Sequence, residues 1–197
     1  MKHDVMTFKV MMRPRIITHS GTFLEEELIS VDRFMMGSVR TLVALGDVTF
    51  VHWRTAHRHG VDYVAVDPQD GEDKVNGPGA RHVRKPFEDL HLEDLPPGPR
   101  GFLFSFNLYS YLERPLGKLY SLLRPGDMVC ASTWTGGAPA RLGYMDAVGR
   151  VIGRPLPHLD SDPRADFAHV CALLPTRTAP WQQVNLASTQ TFLRYPE

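Results

Sequence analysis

Cysteine is scarce in this sequence: there are two in 197 residues, Cys130 and Cys171, each inside an apolar run. So few exclude a disulfide scaffold, and their surroundings suit a small buried thiol in a reducing compartment better than a metal pair. Net charge is lacking as well, since 22 basic residues balance 22 acidic ones. No field therefore draws in a polyanion, and no basic run interleaved with aromatics offers a nucleic-acid track. No apolar run comes near the roughly 20 residues that span a bilayer, and the first residues lack the apolar core of a secretion signal. These absences predict a cytoplasmic, soluble protein with neither a nucleic-acid nor a membrane partner. Also missing are the Gly-x-Ser-x-Gly nucleophile elbow, the phosphate-binding Gly-x-x-x-x-Gly-Lys and the Cys-x-x-Cys pair. Hydrolase, nucleoside-triphosphatase and thiol-redox chemistry are left without a motif.

What is present is enough chain to bury one substantial core, with periodicities that alternate between strand and helix. Residues 1–38 read as an N-terminal extension and covering helix, and residues 39–197 as the main domain. Thr22 and Glu25 have capping-box spacing, Leu24, Leu28, Val31 and Met35 share a helical face, and Gly37 follows as a stop, which predicts a helix over 23–36. The paired methionines Met11-Met12 and Met35-Met36 are expected to fill gaps in packing. Residues 39–45 form a short apolar run that ends at Gly46, as a parallel strand buried on both faces would. A short helix over 51–59 and a second buried strand over 61–66, ending in Asp67-Pro68, complete a β-α-β unit. In such units the helix after the first strand points its N-terminus at a ligand, and an acid at the end of the second strand accepts hydrogen bonds from a ribose. Asp67 stands in that place, and it also suits a turn before Pro68.

Further along, 80–90 holds a brief third strand ended by Pro86, and 101–108 a strong fourth one. A helix opens at Arg114-Pro115 with Leu116, Leu119, Tyr120 and Leu123 on one face, and the Arg124-Pro-Gly-Asp127 turn leads to a fifth strand over 128–132. After a helical stretch near 138–152, residues 166–174 and 184–194 read as two strands forming an antiparallel pair. The expected fold is α/β: a Rossmann-like, mostly parallel sheet with helices on both faces and an antiparallel C-terminal edge pair. His52, His57 and His59 lack the i,i+4 spacing with a carboxylate that a helical metal site needs. They are expected at the surface, and no metal is predicted.

The order of these elements, with Phe104-Ser-Phe-Asn-Leu-Tyr-Ser-Tyr-Leu-Glu-Arg-Pro-Leu-Gly-Lys-Leu-Tyr-Ser-Leu-Leu-Arg-Pro-Gly-Asp-Met-Val-Cys-Ala-Ser132, resembles the class I S-adenosylmethionine-dependent methyltransferases over roughly residues 39–195. The "Leu-Leu-Arg-Pro-Gly-Asp" turn stands where that family usually has Leu-Lys-Pro-Gly-Gly. Val43-Ala-Leu-Gly46 aligns with the family's first strand, Gly60 with the glycine before the second strand, and Asp67 with the ribose-binding acid. By this resemblance Gly46, Asp47 and Asp67 are the cofactor-binding candidates, with Asp47 a possible receiver of the methionine ammonium. Asn107, Tyr109 and Tyr111, after the fourth strand, are candidates for a substrate pocket; the tyrosines would serve equally as packing against the following helix.

The functional positions depart from the family's pattern together. Ala44 replaces an acid near the end of the first strand, and Val48 and Phe50 replace two loop glycines. Pro86 stands where an aspartate meets the adenine, and Gly101 where an acid opens strand four. A β-branched Val48 resists positive φ, and the Phe50 ring adds bulk where a ligand would lie. Two expectations follow. In the first, the chain is a pseudoenzyme that has lost the usual S-adenosylmethionine contacts and serves as a non-catalytic partner of an active methyltransferase subunit or of itself, or as a binder of another small molecule. In the second, it is a divergent but active S-adenosylmethionine-dependent small-molecule methyltransferase, a transferase using Asp47 and Asp67 in an altered pose.

Overall fold

The computed structural model describes residues 14–47, 51–68, 79–112, 115–135, 162–174 and 178–197, with the side chains of 14–20, 111 and 116 outside the description. Seven strands form one sheet: β1 (Thr41–Leu45), β2 (Asp62–Val66), β3 (Ala80–Val83), β4 (Arg100–Phe104), β5 (Met128–Trp134), β6 (Trp181–Val184) and β7 (Ser188–Arg194). Their order is β3-β2-β1-β4-β5-β7-β6. The first five pair in parallel and β7 runs antiparallel to both β5 and β6. This is the Rossmann-like sheet with an antiparallel C-terminal edge pair that the alternation of elements predicts.

β1 and β4 are buried at every position, as parallel strands covered on both faces must be. Side-chain alternation divides their residues between two cores. On one face Val43, Leu45, Phe102, Phe104 and Val129 pack with Leu119 of helix α3 (Pro115–Leu122) and Phe167 of helix α4 (Pro163–Leu173). On the other, Leu42, Ala44, Leu103 and Cys130 pack with Val31 of helix α1 (Pro14–Phe34) and Ala56 of helix α2 (Trp53–Arg58).

Helix α1 begins well before the Thr22 cap that the spacing suggests. Pro14 opens it, where a missing N–H costs nothing, and Thr22 lies inside it. Its inward face carries Phe23, Glu27, Ser30 and Val31, all buried. Gly101 fits under the end of this segment: a Cβ there would stand 2.6 Å from the Met35 sulfur. The space beside the position that the resemblance aligns with an acid is thus filled by Met35, just past the end of α1.

The C-terminal part corrects one expectation. Residues 166–174 are not a strand but most of α4, and the antiparallel pair is the hairpin of β6 and β7 within 181–194. The Asp162 carboxylate accepts from Arg164 N at 2.9 Å, and Pro163 opens the helix. Phe167, Val170 and Cys171 then repeat at helical spacing on the buried side. The helical stretch expected near 138–152 lies outside the described residues.

The Arg124-Pro-Gly-Asp127 turn holds two strands together. Asp127, fully buried, accepts from Arg124 N at 2.9 Å, from Arg100 N at 2.8 Å and from the Arg100 guanidinium at 2.6 Å. The start of β4 is thereby tied to the turn that launches β5.

Candidate functional site

Strand order reverses between β1 and β4, and in open α/β sheets the crevice outside the carboxyl ends at such a point is where ligands sit. Gly46 follows β1 with φ +72°, a conformation that glycine adopts without cost. Its N–H donates to Val66 O at 2.9 Å, and Ser105 N donates to Leu45 O at 3.3 Å, so the ends of β1, β2 and β4 are fastened side by side.

Asp47 is buried and turned inward. It accepts from Val51 N and His52 N, both at 3.3 Å, and from the Tyr63 hydroxyl at 2.7 Å. The two N–H groups just ahead of α2, on the side that faces a ligand in β-α-β units, are met by this chain's own carboxylate. Burial, and then Asp47, push the Tyr63 hydroxyl well above the usual tyrosine range. The face of Gly46 is covered too, by Leu108: a Cβ on Gly46 would lie 3.0 Å from one Leu108 methyl and 3.4 Å from the other.

Glu27 of α1 reaches into the same crevice. Wholly buried, it accepts from the Ser105 hydroxyl at 2.8 Å and Phe106 N at 2.8 Å, and it lies 2.7 Å from His52 Nε2. His52 is equally buried, and its Nδ1 has no hydrogen-bond partner among the described residues. Such an unsatisfied group costs about 1–3 kcal/mol. Burial resists charging of the imidazole, but the hydrogen bond to Glu27 and the fields of Glu27 and Asp47 outweigh it and raise the His52 pKa above 6.5. The expectation of surface histidines is therefore corrected for His52, while His57 and His59 are exposed. Among the described residues no group of His, Cys, Asp and Glu could hold a metal ion.

The loop that receives Glu27 is bent. Phe106 and Asn107 have φ of +48° and +67°, a region that costs a non-glycine residue about 1–3 kcal/mol. The bend aims Phe106 N–H at the Glu27 carboxylate. Above it Phe23 of α1 lies edge-on to the Phe106 ring, centroids 4.9 Å apart, and 4.6 Å from Trp134 at the end of β5. The residue before Glu27 in α1, Glu26, closes on the β6–β7 turn, accepting from Leu186 N, Ala187 N, Ser188 N and the Ser188 hydroxyl.

The six candidates named from the sequence separate in space. Gly46 and Asp47 border the crevice between β1 and β4. Asp67 is half-buried at the end of β2, its N–H on Val83 O at 3.2 Å and its carbonyl 3.1 Å from His82 Nε2. Asn107 is buried, its N–H on Ser132 O and its side chain accepting from the Ser110 hydroxyl. Tyr109 belongs to the packed core of the opposite sheet face, between Phe104 and Phe167, with its hydroxyl on Asp166 at 2.8 Å. The Tyr111 side chain, and Val48 and Phe50, lie outside the described residues. Ala44 is fully buried among apolar neighbours, where an acid would lose its hydration. Glu27 and Ser105 were missed by the sequence reading. The signal for Glu27 is a charge four residues after Phe23 and four before Val31, on the same helix face.

No family model and no curated protein matches the chain in sequence. Solved structures match it in fold. An O-methyltransferase family protein from Burkholderia thailandensis superposes with a TM-score of 0.64 at 12% identity, covering 87% of this chain and 56% of that one. The chain thus spans a little over half the length of that relative. The N-methyltransferase NodS from Bradyrhizobium japonicum gives 0.60 at 10% identity, over 89% and 98%. The 1,6-didemethyltoxoflavin-N1-methyltransferase of Burkholderia thailandensis, solved with bound 1,6-didemethyltoxoflavin and S-adenosylhomocysteine, gives 0.55 at 17% identity, over 98% and 82%.

Proposed function

We propose that this chain, which has the fold of the class I S-adenosylmethionine-dependent methyltransferases, works without that cofactor, as a small-molecule binder or as the non-catalytic partner of a methyltransferase subunit. A fold hosts many functions, and what a given chain does is decided at its crevice. The observation that carries the reading is its filling by this chain's own side chains. Leu108 stands against Gly46, where a ligand would need the bare backbone, and Glu27 occupies the end of β4, on the Ser105 hydroxyl and Phe106 N–H. Asp47, the group that could have received an ammonium, is engaged with Tyr63 and the backbone just ahead of α2. The residues in place therefore fit the cofactor poorly in the pose the resemblance implies.

A second reading, that of a divergent small-molecule methyltransferase, is favoured by Asp67, half-buried at the ribose-acid position at the end of β2. One measurement separates the two. A ligand at a hundred times its dissociation constant adds about 2.7 kcal/mol to stability. Thermal shift and calorimetry with S-adenosylmethionine and S-adenosylhomocysteine are expected to give no saturable response. A saturable rise in melting temperature would reverse the order of the two readings.

A further inference from the structure

We propose that the pocket formed by Ser105, Phe106 N–H and His52 is a binding site for a small organic carboxylate, and that Glu27 of α1 is its tethered stand-in. The inference rests on the reading of the crevice as a small-molecule site and names the ligand class.

The pocket is built for a carboxylate rather than packed around a stray one. Both Glu27 oxygens are engaged: Oε1 faces the Ser105 hydroxyl and His52 Nε2, and Oε2 accepts from the Phe106 N–H. A hydroxyl, a backbone amide and an imidazole thus converge on one planar anion. The amide is presented by two successive non-glycine residues at positive φ, so the pocket stores strain to hold that geometry. His52 supplies an independent sign. Its ring is fully buried, its Nδ1 has no hydrogen-bond partner among the described residues, and Asp47 is a second acid near it. A lone structural ion pair needs only one of these acids to neutralise the ring. The place is the carboxyl end of β4 at the reversal of strand order, where ligands enter this kind of sheet, and the element that fills it comes from the covering helix. Withdrawal of α1 would expose the donors to a free acid of the same shape.

Glu27→Ala removes the equivalent of one acetate from the pocket, and the full-length variant can be titrated with acetate, propionate, butyrate and chloride at constant ionic strength. The melting temperature is expected to rise saturably with acetate. Propionate and butyrate should saturate at equal or lower concentration, as a ligand pocket larger than one glutamate side chain requires, and chloride should do nothing. Adding Ser105→Ala should weaken acetate binding about tenfold, the worth of a charge-assisted hydrogen bond. Two results overturn the proposal: acetate and chloride acting alike, or acetate binding while propionate and butyrate are excluded, since the space is then only the hole left by one glutamate. If Glu27→Ala does not fold, Glu27→Gln keeps the volume and removes the charge. Butyrate should then speed amide exchange over residues 21–34, and unchanged exchange overturns the proposal. Binding of S-adenosylmethionine to the unaltered protein would count against the preceding function and leave this titration, made without that cofactor, to its own outcome.

Discussion

The Glu27 carboxylate and the His52 imidazole meet at 2.7 Å with both side chains wholly out of solvent. Removing one partner of such a pair strands the other, at a cost of about 3–5 kcal/mol. The folded pKa of His52 is raised, so its contribution as a cation is complete below its ordinary value of 6.5 and is lost as pH rises through the folded value. Denaturant unfolding of the wild type and of His52→Gln should therefore differ most on the acid side of neutrality, with the gap narrowing as the medium turns alkaline. A gap that widens with pH would show His52 held neutral.

Asp127 should be among the costliest residues to alter. Asp127→Asn leaves the Arg100 guanidinium, itself 3% exposed, without its counter-charge, and a loss of about 3 kcal/mol is expected. Chemical denaturation gives the number directly. A loss below about 1 kcal/mol, the range of exposed ion pairs, would mean that water reaches the pair.

Gly101 and Met35 should be energetically coupled. Gly101→Ala pushes a methyl against the Met35 sulfur and should cost about 1–3 kcal/mol by overpacking. In a Met35→Ala background the same change should cost almost nothing. A double-mutant cycle with no coupling would place the strain elsewhere.

Asp162→Ala should remove the cap of α4 and about 1 kcal/mol of stability, or roughly 2–4 °C in melting temperature for a chain of this size. Asp162→Asn keeps an acceptor for Arg164 N and should melt close to the wild type.

Much of the sheet was legible because buried parallel strands write continuous apolar runs: 39–45, 61–66 and 101–108 locate β1, β2 and β4 to within a few residues. Residues 166–174 hide their helix for a physical reason. A helix buried on one side and short in length also gives an apolar run, and what distinguishes it is the Asp162-Pro163 start ahead of that run. The positions of Gly46 after β1 and Asp67 after β2 were legible from the β-α-β pattern. What Asp47 does was not, because its partner Tyr63 lies on another strand and only the fold brings the hydroxyl within 2.7 Å. The partners of Glu27 come from beyond β1 and beyond β4, 25 to 79 residues along the chain. No local pattern could join them.

Glu26 and Glu27 are neighbours in sequence, yet one grips the β6–β7 turn and the other the loop after β4. Successive side chains on a helix leave the axis about 100° apart, so these grips act along different radii. Together they set the angular phase of α1 about its axis as well as its height above the sheet. Most of what they hold is main-chain amide, which side-chain replacement in those loops leaves in place. The helix is therefore indexed by its own numbering: inserting one residue between Glu27 and Phe34 would turn both carboxylates off their seats at once, while many substitutions in the receiving loops would leave them engaged.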